Sequence, residues 1–316
     1  MSSEPRSEDS TESEAASGQS VAEEEGSPRA GFFYALTAYA MWGFLPLFFR
    51  AAEHIPASEL VIHRVLWSLP TAAIVLGVLG RLHEIPPLLK NWKIVRMMVV
   101  TALLISINWG IYVWAISVNL ASETALGYYI NPLLTVLIGY LLLGERLGKW
   151  QALAVALAFT GVLIRTVMGG VFPWISLSLA FSFAIYGYLR KTVAVGPTQG
   201  FMIEVIILFP FALVYAVWLA AQGGGHVELA NGNIFWLMAC GPVTAFPLIF
   251  YAYGAKRLRL ATIGLMQYIA PSMIFIIAFF VFGEELDFWQ GVTFVLIWSA
   301  LAIYSWSTFR SSAPKR

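Results

Sequence analysis

The chain has 316 residues, of which 59% are apolar and 12% charged, with a formal net charge of +1 and a mean hydropathy of +0.74. A soluble globular chain carries about 25% charged residues, so this composition excludes a water-exposed globule, and the balanced charge excludes a nucleic-acid binder. Length alone suggests about two domains at roughly 150 residues each, yet so little polar chain separates the apolar runs that one all-α membrane bundle fits better.

Eight of the 18 acidic residues fall among the first 25. This Ser/Glu-rich stretch cannot bury enough apolar surface to offset its ordering entropy, so residues 1–28 are expected to be a disordered acidic cytoplasmic tail. It has no basic start and no apolar centre, unlike a secretory signal. Ten apolar stretches follow, near 31–49, 57–80, 94–118, 122–143, 149–167, 171–189, 199–221, 233–254, 259–282 and 288–307. Each is long enough to cross roughly 30 Å of hydrocarbon at about 1.5 Å per residue. Turn residues mark the breaks: Pro86 and Pro87, Gly144 to Lys149, Gly196 and Pro197, and Gly223 to Gly225. The short segment 311–316 is read as a cytoplasmic C-terminal tail. The one cysteine, Cys240, lies in an apolar run and excludes an intramolecular disulfide.

Lys and Arg set the orientation. With the N-terminus inside, the inner connections and C-terminal tail hold Arg81, Lys90, Lys93, Arg96, Arg146, Lys149, Arg190, Lys191, Lys256, Arg257, Arg259, Arg310, Lys315 and Arg316. The outer connections hold Arg50 and Arg165, and Glu284, Glu285 and Asp287 gather on that side. The positive-inside rule therefore predicts both termini in the cytoplasm and a multi-pass protein of the plasma (inner) membrane.

The sequence also repeats itself. Tyr129, Ile130, Asn131, Pro132 through Gly144, Glu145 to Trp150, Gln151 recurs 139 residues later as Tyr268, Ile269, Ala270, Pro271 through Gly283, Glu284 to Trp289, Gln290. The chain thus divides into five-helix halves, 29–168 and 169–310. Because five is odd, the second half must enter the membrane inverted, which predicts ten transmembrane helices in two inverted repeats, the plan of many secondary transporters.

Ten helices in two halves, the Asn-Pro step in the fourth, "LGER" after it, and "RLRL" before a Gln-Tyr-Ile-x-Pro ninth helix resemble the EamA branch of the drug/metabolite transporter superfamily. Within that branch, "HRVLWS", "NWGIYVWA", "ALGYYINPL" and "LAFSFAIYGYLRK" resemble the RarD type. The resemblance runs from about residue 31 to 307. It implies efflux or exchange of a small-molecule solute by alternating access.

The chemistry must lie in the few polar groups within the spans. Glu59, His63 and Trp67 are four apart and share a helical face, with Arg64 beside them. Ionisable groups at membrane depth usually face a cavity or a partner, so these form a candidate substrate or proton-coupling patch, protons being a candidate coupling ion. The alternative is that Glu59 and Arg64 snorkel or pair with each other. Glu204, in the seventh stretch, is a proton-carrier candidate, with a salt bridge to Arg190 or Lys191 as the alternative. Pro132 and Pro271 predict kinks that free the carbonyls of Tyr128 and Gln267 for a substrate or water. Trp109, Tyr112, Tyr128, Tyr129 and Tyr268, with Asn108 and Asn131, are candidate pocket walls, helix packing being the alternative for each. Glu145 and Glu284 read as caps on the helix that follows each.

An enzyme is not expected. There is no HExxH, no Asp-rich pair and no cysteine cluster, the four histidines lack ligand spacing, and "GERLGKW" lacks the glycine spacing of a phosphate loop. Neither a metal nor a cofactor is called for. The expected partners are the solute and the bilayer, in a monomer or homodimer. A non-transporting sensor or accessory protein would carry a soluble output domain, which is not found here.

Overall fold

The computed structural model describes residues 27–118, 120–169, 173–223, 225–227, 232–281, 283 and 288–311. The expectations for the acidic tail before Ser27, for Glu284, Glu285 and Asp287, and for the tail beyond 311 lie outside the described residues. At the start of the first helix, the Ser27 hydroxyl accepts from the Arg29 N–H at 3.2 Å. Pro28 follows at the first helical position, where its preset φ helps and its missing N–H costs nothing.

The helices are α1 (Pro28–Gly43), α2 (Leu45–Ala51), α3 (Ala57–Val78), α4 (Ile85–Lys90), α5 (Trp92–Ser117), α6 (Ala121–Leu143), α7 (Lys149–Gly169), α8 (Trp174–Thr192), α9 (Pro197–Ala221), α10 (Asn233–Arg257), α11 (Leu260–Met266), α12 (Ile269–Phe280) and α13 (Phe288–Ser311). A 3₁₀ turn covers Leu82–Glu84. Among the described residues eight passages are long and apolar enough to cross a membrane, counting α1 with α2 and α11 with α12 as one each, and a shorter apolar run spans Gly291–Ser307. Large apolar side chains such as Ile74, Val78, Phe211, Val214 and Phe280 point outward. In water such a surface would aggregate; against acyl chains it is the expected outer face.

Two apolar stretches are each split into two helices. Phe44 separates α1 from α2, where Pro46 can donate no hydrogen bond to the preceding turn. Gln267 and Tyr268 separate α11 from α12 ahead of Pro271. There the Gln267 carbonyl accepts from the Ala270 N–H at 3.3 Å, so the acceptor expected to be free is satisfied by a tightened turn. Pro132, by contrast, sits inside an unbroken α6.

Helices pack mainly on partners far away in the chain. The principal pairs are α6 on α8, α7 on α13, α3 on α10 and α9, α1 on α10 and α12, α6 on α11, and α5 on α8 and α9. Close crossings use glycine: a side chain at Gly241 in α10 would lie 2.3 Å from the Trp67 carbonyl in α3. One core cluster gathers Tyr39, Tyr186 and Tyr251 of α1, α8 and α10 with small residues such as Ala35, Ala38 and Ala245. A second holds Tyr129, Tyr268 and Phe294.

Glu145 corrects one expectation. Its carboxylate accepts from the backbone N–H groups of Leu260 at 2.7 Å and Ala261 at 2.9 Å. It therefore caps α11, not the helix that follows it. The reason is Gly144, whose φ of +63° ends α6 in a left-handed turn and directs the carboxylate toward the positive start of α11.

Candidate functional site

Arg64 lies in the second turn of α3, about 10 Å along it at roughly 1.5 Å per residue. Its Nε donates to the Thr244 hydroxyl of α10 at 2.8 Å, and its guanidinium lies 4.5 Å from the centre of the Trp109 ring of α5. Among the described residues no carboxylate lies within ion-pair distance of it. A permanent charge in a membrane span thus has a hydroxyl and a ring face as its protein partners. The rings of Tyr112 and Tyr128 meet edge-on at 6.4 Å on the same side, and Tyr128 is half-exposed.

A small pocket beside Arg64 is lined by Ser68, Trp109, Phe201, Glu204 and Leu248 among others, with room for about one water molecule. Among the described residues the buried Ser68 hydroxyl and Glu204 Oε1 have no hydrogen-bond partner. Glu204 lines this pocket from α9, but its ion pair is elsewhere. Arg190 Nη1 is 3.7 Å from Glu204 Oε1, Tyr186 donates to Oε2 at 3.2 Å, and Arg190 Nη2 donates to the Pro197 carbonyl at 2.7 Å. Both charged groups are buried. Of the two readings of Glu204, the geometry matches the salt bridge to Arg190.

Glu59 does not pair with Arg64. One oxygen accepts from the His226 backbone N–H at 2.6 Å and the other meets His226 Nδ1 at 2.8 Å. His63 Nε2 stands 4.0 Å away on the next turn of α3. Gly225, with φ +106°, allows the chain to bend onto the start of α3, a conformation a side chain would oppose.

The remaining candidates make contacts between and within helices. Asn108 donates to the Leu179 carbonyl at 2.8 Å and the Ser182 hydroxyl at 3.0 Å, tying α5 to α8. Thr135 links Asn131 and Gln267, at 3.4 Å to each. Tyr268 is fully buried and donates to the Tyr129 carbonyl at 3.0 Å. The half-buried Trp67 lends its carbonyl to Thr71 at 2.7 Å. Arg64 is therefore flanked by aromatics of α5 and α6, while Tyr129 and Tyr268 belong to the second core cluster. Sequence reasoning missed Thr244 and His226, which lie 180 and 167 residues from their partners; only a three-dimensional arrangement reveals them.

An all-helical bundle with an apolar outer face and charged side chains turned inward is a polytopic membrane protein. The chain belongs to the EamA-like transporter family, whose model matches residues 29–167. It is 40% identical over 295 residues to Protein RarD of Streptomyces exfoliatus, covering 92% of this chain and 93% of that one. Protein RarD of Escherichia coli is 38% identical, with 87% and 94% covered, and a Vibrio cholerae protein named as a transporter is 40% identical, with 88% and 92% covered. A solved crystal structure 18% identical in sequence superposes with a TM-score of 0.68, covering 91% of this chain and all of that one; it shows the fold.

Proposed function

We propose that this chain is a secondary transporter that moves a small organic anion with an apolar or aromatic body across the plasma (inner) membrane by alternating access, in export or exchange. The observation that carries the reading is Arg64, a guanidinium inside a span with no carboxylate partner among the described residues. Such a charge is costly unless an anionic group answers it during the working cycle. Thr244 and Trp109 hold the fork in place, and Tyr112 and Tyr128 supply ring faces beside it.

The proposed architecture is ten passes in inverted halves, 29–168 and 169–310, with both termini cytoplasmic. The packing supports it. Exchanging each helix for its counterpart in the other half turns α6 on α8 into α12 on α1, α1 on α10 into α5 on α8, and α3 on α10 into α5 on α9, all pairs that occur. An interface that survives this exchange suits two halves that rock against each other.

Flux of naphthalenesulfonate, which stays anionic across the physiological pH range, tests the reading in proteoliposomes. Arg64→Lys keeps the charge but loses the planar fork, and is expected to lower flux at least about tenfold. Equal flux in wild type and Arg64→Lys would remove the guanidinium from the solute site. No flux in either, with a metabolite panel also silent, would reject transport of this class.

A further inference from the structure

A second pocket opens at the Glu59 end of α3, with a volume of about 310 Å³. Glu59 and His63 line it beside Ile62, Ala216, Leu219 and Val227. It is distinct from the pocket at Arg64, and the solute reading does not use it. Its polar end is a chain of three ionisable groups that runs from the part-exposed His226 to the buried Glu59 and His63. The His226 side chain is 41% exposed, while those of Glu59 and His63 are 3% and 10% exposed. Among the described residues Nδ1 of His63 is buried without a hydrogen-bond partner, so the chain ends in a group able to take or give a proton.

We propose that His226, Glu59 and His63 form a proton-binding relay that takes protons from the aqueous phase at this end of the bundle into α3. Its use in coupling rests on the transport reading above; its existence does not. A proton from water adds to Nε2 of His226, and the proton on Nδ1 passes across the 2.8 Å contact to Oε2 of Glu59, leaving a neutral imidazole and a neutral carboxyl. A neutral carboxyl is far cheaper than a carboxylate in an apolar span. Onward transfer to Nε2 of His63, 4.0 Å from Oε1 and adjacent in sequence to Arg64, exceeds direct hydrogen-bond distance and takes a bridging water. One proton enters and one is carried.

Imidazole is the side chain suited to this work near neutral pH. Few other groups compete with it. α9 presents Ala216, Leu219 and Ala220. Cys240 of α10, Tyr112 of α5 and Tyr128 of α6 act on Arg64. His54 is held by the Asn233 amide oxygen at 2.8 Å, and Glu53 pairs with Arg50 at 3.2 Å.

The proton itself is the probe. Purified protein in lipid nanodiscs is stepped from about pH 8 to pH 5 and its proton uptake read with an indicator dye. Glu59→Gln, which keeps the shape and the bond from the His226 N–H, is expected to take up about one proton fewer than wild type. Uptake unchanged in Glu59→Gln would overturn the relay. In proteoliposomes, external acid is expected to change naphthalenesulfonate flux in wild type but not in Glu59→Gln or His226→Gln; flux equally pH-sensitive in all three would overturn its coupling role. Wild-type proton uptake without flux of any solute leaves the relay and removes the transport reading. Flux without Glu59-dependent uptake does the reverse.

Discussion

The buried hydroxyl of Tyr268 donates to the backbone carbonyl of Tyr129 at 3.0 Å, joining two residues that hold the same place in the repeated Tyr-Ile-x-Pro motif. Counterparts related by a two-fold axis can touch only where that axis passes. The contact therefore marks where the axis of the proposed repeat would run, between α6 and the break from α11 to α12.

Tyr268→Phe removes this one bond while keeping the ring. Stability in detergent is expected to fall by about 1 kcal/mol, measured by thermal unfolding of the purified protein. A loss of several kcal/mol would mean that the hydroxyl does more than tie two helices.

The Arg190 and Glu204 pair should be unforgiving of half-measures. Arg190→Ala or Glu204→Ala each leaves a buried charge unanswered and is expected to cost about 3 to 5 kcal/mol. The double variant should cost clearly less than the sum. Additive losses would show that the two residues do not act on each other.

Thr244→Val tests the support of Arg64. The Nε bond is lost while volume is kept, so naphthalenesulfonate flux is expected to fall several-fold, to about a tenth at most, from roughly 1.4 kcal/mol of lost positioning. Stability should stay within about 1 kcal/mol of wild type. Unchanged flux would place the guanidinium's function elsewhere.

Acid should loosen the connection before α4. Glu84 accepts from Arg81 Nε at 2.8 Å and from the Gln199 amide at 2.6 Å, and the Arg81 bond, more than that of Gln199, holds its carboxyl below the usual carboxylate range. A depressed carboxylate contributes stability above its unfolded value and loses it as pH falls through the folded one. The group is close to solvent, so the loss is expected to stay under about 1 kcal/mol below pH 4. Amide protection at Gln199, corrected for the intrinsic pH dependence of exchange, that falls no more between pH 7 and pH 3 in wild type than in Glu84→Gln would contradict this.

Orientation is open to reporter fusions. Lys90 and Gly148 should read cytoplasmic, Ala121 and Gly223 external. A cytoplasmic signal at Gly223 would break the ten-pass topology.

The membrane class, the placing of the long helices and the family were legible because each rests on a local signal: apolar length, turn residues and repeated motifs. Arg64 stood out because a charge in an apolar run is costly wherever it lies. The partners were not legible. Glu59 sits five residues before Arg64, a spacing that suggests pairing, yet five residues turn a helix through about 500°, setting the two side chains roughly 140° apart and into different pockets. Glu145 resembled a cap for its own successor, because no sequence pattern records that α11 starts beside it. Pro132 and Pro271 occupy equivalent positions, but one helix stays continuous and the other breaks. Packing around α11 and α12 decides that difference, and proline alone does not.

Several polar groups of the first half find their partners in the second. Asn108 waits for Leu179 and Ser182, Glu59 for His226, Arg64 for Thr244, Glu145 for Leu260 and Ala261, and Tyr39 for the Ile263 carbonyl. A ribosome adding about 5 to 20 residues per second needs on the order of ten seconds to make the next 140 residues. During that interval the nascent first half sits in the bilayer with its polar groups unanswered by their final partners. Synthesis is thus where this protein is most exposed to misassembly and proteolysis, and a chain stopped near residue 168 should be degraded rather than accumulate.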